Sequence, residues 1–179
     1  MGAVVLMLRG INIGRSRRIA MADLREALAA AGFDGVRTHL QSGNVVARHD
    51  REPAAAELVA AQAIRERFGL DVSVVARTHD ELAAVVASNP LADVATDPKR
   101  HQVSFLSAPL SEAVAQRLRD AVVEPEALAI EGREIHAWHP EGVARSKLSN
   151  ALAGGGLGVT ATARNWTTVT ALVEMAGGR

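Results

Sequence analysis

Cysteine and tyrosine are both absent from this chain, and three phenylalanines and two tryptophans supply all its aromatic surface. The first absence removes disulfides, thiolate nucleophiles and thiolate metal sites together. The second weakens any reading that needs stacking platforms for bases. Charge of one sign is lacking too, since twenty Lys and Arg balance twenty Asp and Glu. The chain as a whole therefore has no pull on nucleic acid or an anionic membrane, and only local clusters can supply one. No apolar run approaches the length of a membrane span. The start runs straight into strand-like sequence without a basic and then apolar leader, so a soluble, unprocessed, cytoplasmic protein is expected.

What is present is Ala, Val and Leu in periodic order. Residues 3–8 form a continuous apolar run, as expected of a central strand buried on both faces. Met21, Leu24, Leu28 and Ala31 then fall at helical spacing, and Gly32 stops that helix. Val36, Thr38 and Leu40 alternate with polar residues in the period of a half-covered strand, "QSGN" reads as a hairpin turn, and 44–48 as the returning strand. Leu58, Ala61, Ile64 and Phe68 mark a helix ended by Gly69, residues 71–77 a fourth strand, and "THDE" at 78–81 a capping box opening a further helix. The polar, turn-rich stretch 92–100 reads as a linker. After it the order repeats: strand 102–107, a helix through Val114 and Leu118, a hairpin over 126–138, helix 145–152, an edge strand at 159–163, and a last stripe of Trp166, Val169, Leu172 and Ala176. The expected architecture is α+β, two ferredoxin-like (split β-α-β) halves with trailing helices, packed together. Half one covers 1–91 and half two 101–179.

That topology fixes where loops meet. With strand order 4-1-3-2, the first strand-to-helix loop and the 42–44 turn share one end of half one, so Arg9, Asn12, Gly14, Gln41, Ser42 and Asn44 are expected to converge. In half two the approach to the second helix and the exit of the fourth strand share an end, placing Arg145, Lys147, Arg164 and Asn165 together. No acidic residue interrupts 1–22 or 142–173, so both ends are locally basic although the chain is neutral. Arginines beside helix N-termini suit an oxyanion.

The stretches "LRGINIG", "QSGNVV", "RSKLSNAL" and "TARNWTTV" resemble the signatures of the bacterial domain of unknown function 1697 family, in the right order and over nearly the whole chain. The resemblance implies two ferredoxin-like halves and no particular activity. Similar sequences often continue the first motif with further Gly and Lys, whereas this one continues "RSRRIAM".

Each feature also has a plain structural reading. Gly43 and Asn44 suit a left-handed turn, Asn165 a helix cap, and Trp166 a core anchor. Ser42 and Ser146 have no sequence-placed base to activate them, and His136 and His139 match no metal spacing. No metal, cofactor or membrane partner is expected, and whether a reaction is catalysed stays open. The leading reading is a protein that binds a small phosphate- or carboxylate-bearing ligand in a basic cleft, with the 10–18 loop expected as one wall and Arg145, Lys147 and Arg164 as the other. A nucleic-acid module ranks below it for want of aromatics on the central strands, and a structural or assembly protein is the third.

Overall fold

The computed structural model describes residues 2–14, 17–153 and 155–178, the Arg145 side chain excepted. The chain divides into two compact units, Met1–Ala84 with Ala171–Arg179, and Val85–Thr170. Each holds one four-stranded antiparallel sheet built on a split β-α-β unit.

Unit 1 runs β1(Gly2–Leu8), α1(Met21–Ala30), β2(Asp34–His39), β3(Asn44–His49), α2(Pro53–Phe68), β4(Val74–Thr78) and the start of α3(His79–Ser88). The sheet order is β2-β3-β1-β4, which puts the most apolar strand in the centre. Val4 to Leu8 are all buried, and the face carrying Val4, Leu6 and Leu8 joins Val45, Ala47, Val74 and Ala76 against α1 and α2. Gly69 closes α2 in the left-handed conformation, and Thr78 and Glu81 exchange side-chain hydrogen bonds with each other's backbone N–H at 3.1 and 2.8 Å.

The expected stripe on α2 is corrected. Of its four residues only Leu58 departs, at 74% exposed; Ile64 is buried and Ala61 and Phe68 pack against the core as expected, with Ala56, Ala60 and Ala63 facing inward beside them. An alanine-rich helix leaves little hydrophobic contrast between its faces, and close packing on the sheet favours the small side chains. Leu40 is also outside its expected strand: it follows β2 at a φ of 59° and is 59% exposed.

Unit 2 runs β5(His101–Leu106), α4(Glu112–Asp120), β6(Ala127–Glu131), β7(Glu134–Trp138), α5(Lys147–Ala153), β8(Ala161–Asn165) and the start of α6(Trp166–Gly177), whose residues from Ala171 belong to unit 1. The order β6-β7-β5-β8 is that of the first sheet. Leu106, Leu118, Ile135 and Leu157 form the core under α4 and α5. β8 sits two residues later than the apolar pattern suggests, because Thr162 and Arg164 are drawn into the strand.

The repeat extends to individual hydrogen bonds. The last residue of the first strand donates to the hairpin turn in each unit, Leu8 to the Gly43 carbonyl at 2.8 Å and Leu106 to that of Arg133 at 2.9 Å. The next residue donates to the approach of the fourth strand, Arg9 to Ser73 and Ser107 to Thr160, both at 2.9 Å. From these matched points the connections diverge, since unit 1 takes residues 9–20 to reach its helix and unit 2 only 107–111.

The unit 1 contact needs glycine. A β-carbon on Gly43 would lie 2.7 Å from Leu8 Cβ and 2.8 Å from Ile11 Cδ1, at a φ of +79°. Gly43→Ala should therefore cost about 2–4 kcal/mol, combining left-handed strain with overpacking. Gly10→Ala, at φ +69° with open space around it, should cost only about 1 kcal/mol. Urea denaturation of both variants checks this, and equal losses would show that the close approach is unimportant.

Candidate functional site

The loop end of unit 1 is held by asparagines. Asn12, itself at a φ of 55°, accepts a hydrogen bond from the Ile19 N–H at 2.9 Å and donates Nδ2 to the carbonyls of Ile19 and Gln41 at 3.0 and 2.8 Å. It closes the loop on itself and ties it to the neighbouring turn. Ile11 and Ile19, on either side, are buried in the core. Asn44 is fully buried and donates Nδ2 to the His39 carbonyl and Ser42 Oγ, both at 3.0 Å. The structure thus brings Asn12, Gln41, Ser42 and Asn44 together, with both asparagine side chains engaged in backbone shape.

The arginines occupy the outside of this frame. Arg9 is exposed, and no carboxylate among the described residues pairs with it. Among the described residues Arg18 reaches the Gly14 carbonyl, at 3.5 Å, and Arg17 donates to the Asp71 carbonyl. Asp71 spends its carboxylate on Arg65. Gly14 is exposed and left-handed at φ +64°.

The end of unit 2 is arranged differently. Lys147 is exposed at the first position of α5, and the Arg145 side chain lies outside the described residues. Arg164 is only 9% exposed and donates Nη1 to Thr162 Oγ1 and the Ala163 carbonyl, each at 2.8 Å. Burial brings its pKa down to about 10, so it stays charged at neutral pH. Strand periodicity sets its direction: Ala161 joins the core beneath α5, so Thr162 and Arg164 point to the other face. Arg164 and Lys147 are therefore not brought to one side of the sheet. Asn165 accepts from the Thr168 N–H at 2.9 Å and caps α6.

Two clusters in unit 2 have no signal in the sequence. Ser146 Oγ and a Glu126 oxygen both lie at His139 Nδ1, at 3.1 and 3.0 Å. Burial would raise the Glu126 carboxyl, but hydrogen bonds from Ser146 and His139 and the imidazole charge hold it below the usual range. Glu126, Ser146 and Lys147 line a cavity of about 540 Å³ with Glu124 and Glu141. Serine, imidazole and carboxylate suggest a nucleophile, yet both partners share one ring nitrogen while His139 Nε2 is buried with no partner among the described residues. The imidazole does not stand between carboxylate and serine, and Ser146 Oγ already accepts from the Ser149 N–H at 2.8 Å. The cluster is wired as a brace for α5.

The second cluster is His101, His136 and Trp166. His101 stacks on the indole with ring centroids 4.6 Å apart, and its Nε2 lies 3.3 Å from His136 Nδ1. Burial brings both imidazoles down to about 4, with the His101 charge adding to the effect on His136. Among the described residues no group of three His, Cys, Asp or Glu is placed to hold a metal ion, and no helix is long and apolar enough to cross a membrane.

With this geometry in view, comparison with known proteins is informative about kinship. The family described as "Protein of unknown function (DUF1697)" matches residues 1–136. The chain belongs to that family. The conserved bacterial protein SP0830 from Streptococcus pneumoniae shares the fold with a TM-score of 0.80 at 21% identity, over 98% of each chain. No curated protein matches the chain. The family match takes in the unit 1 loop end, β5, α4 and β6, and ends at His136 within β7, before Ser146.

The histidine pair gives a pH dependence. Both rings are neutral in the fold down to about pH 4, whereas in the unfolded chain they take up protons below about pH 6.5. Between those values the unfolded state binds more protons, so stability falls as pH drops from about 6.5 toward 4. Melting temperature recorded across that window should decline, and His136→Leu should flatten the decline. An unchanged slope in the variant would show that other groups carry it.

Proposed function

We propose that the chain binds an anionic group, phosphate or carboxylate, at the loop end of unit 1. One observation carries this reading. Unit 2 closes the same hydrogen-bonded frame with residues 107–111, so the frame itself does not require the length of the 9–20 connection or its arginines. The chain nevertheless fixes that connection with an asparagine clasp, two buried isoleucines and several left-handed residues. Local strain held in place by surrounding bonds is a frequent companion of binding sites. Guanidiniums without carboxylate partners, held on a preformed loop, suit an oxyanion by charge-assisted hydrogen bonds. Arg9 and Arg18 are the proposed ligands, with Ser42 and the Gln41 amide beside them. Arg145, Lys147, Arg164 and Asn165 are not among the proposed ligands.

A thermal-shift screen of phosphate- and carboxylate-bearing compounds tests the proposal, because a ligand selective for the native state raises its apparent stability. Arg9→Ala and Arg18→Ala should each weaken a responding compound about tenfold, on the scale of roughly 1.5–3 kcal/mol for a charged hydrogen bond. The melting temperature of the free protein should hardly change, since neither side chain supports the core. A large loss of melting temperature with unchanged affinity would make the arginines internal struts.

A further inference from the structure

We infer that the loop end of unit 1 docks on the headgroup surface of an anionic lipid bilayer; this rests on the anion reading above and names the source of the anion. The new observation is aliphatic. Ile13 is 71% exposed and Leu40 is 59% exposed, and the two flank the hydrogen bond from Asn12 to the Gln41 carbonyl that joins their loops. Neither belongs to the core cluster that takes in Ile11 and Ile19.

Leu40 is the more telling of the two. It holds a φ of 59°, which disfavours a leucine relative to glycine or asparagine. The fold recovers nothing for that strain, because the side chain stays in water. An aliphatic side chain kept at a strained, exposed loop position is explained by a surface outside the molecule. Ile13 shares its loop with Arg9, Arg17 and Arg18, Leu40 adjoins that loop through the Asn12–Gln41 bond, and segments 1–22 and 35–49 carry no carboxylate. Of the acidic groups at this end, Asp71 is paired with Arg65 and Asp23 lies within the first turn of α1.

Arginines surrounding exposed aliphatic side chains match the two layers of an anionic membrane, phosphates above and acyl chains beneath. Nucleic acid would use the arginines and gain nothing from Ile13 and Leu40. A small free anion would likewise leave the aliphatic tips in water, and the two cavities of about 540 and 580 Å³ are lined by other residues.

The test is co-sedimentation of the full chain with vesicles of phosphatidylglycerol and phosphatidylcholine, against vesicles of phosphatidylcholine alone. Glycerol phosphate, the soluble headgroup, is titrated in parallel by thermal shift. Binding is expected on the anionic vesicles only, and raising salt to about 0.5 M should release it. The pair Ile13→Ser with Leu40→Gly should reduce vesicle binding about tenfold, as loss of inserted aliphatic carbons requires. The same pair should leave the melting temperature no lower and the glycerol phosphate response unchanged. Absent vesicle binding, equal binding to neutral vesicles, or binding indifferent to the aliphatic pair would overturn the inference, as would tight binding to a short RNA indifferent to that pair. If glycerol phosphate still raises the melting temperature in any of these cases, the anion reading survives and only the lipid source falls. If neither vesicles nor glycerol phosphate respond, both fall.

Discussion

The close approach of β1 to the β2–β3 turn is the constraint on which unit 1 depends. Leu8 donates its N–H to Gly43, and the turn can come that near only because position 43 has no side chain. That one bond fixes where the central strand ends. It also aligns the hairpin register, in which Met7 pairs with Asn44 and His39 with the same residue from the other side. Asn44 is buried by this arrangement, and its amide then sets the turn by bonding His39 and Ser42. The loop from Gly10 to Ala20 inherits its position from the same contact, since Ile11 packs where a β-carbon on Gly43 would be.

Unit 2 obeys a similar rule with different residues. There the turn carbonyl belongs to Arg133, and the side chains that fill the space are not those of unit 1. A frame made of backbone hydrogen bonds tolerates this, because any residue can supply an N–H or a carbonyl. The difference between the units therefore concentrates in what leaves the frame: a short link to α4 in one, and a long basic connection to α1 in the other.

Much of this was legible in the sequence wherever local chemistry decides. The apolar run of β1, the stops at Gly32 and Gly69, the Thr78–Glu81 box and the Asn165 cap each follow from one or two residues and their immediate neighbours. Legibility failed where the deciding partner is distant or the local signal is flat. Alanine covers so much of α2 that the sequence does not show that Leu58 faces water. The direction of Arg164 depends on strand register, which polar residues inside β8 disguise. Glu126, His139 and Ser146 meet across a hairpin exit and a 3-10 turn, Val143–Arg145, with separations that match no familiar motif. At the loop end the convergence of segments could be read from topology, but Asn12 as a clasp and the strain at Leu40 needed coordinates.

The unequal connections between matched anchor points bear on how the protein could be altered. Both loops start from equivalent hydrogen bonds and end at the first turn of a helix on the same side of an equivalent sheet. Closing the longer one costs only about 0.8 kcal/mol more chain entropy, by the logarithmic scaling of loop length. The backbone frame would thus accept either length, and what ties the longer segment to unit 1 is the packing of Ile11 and Ile19, which a five-residue link patterned on Ser107 to Ser111 would have to replace.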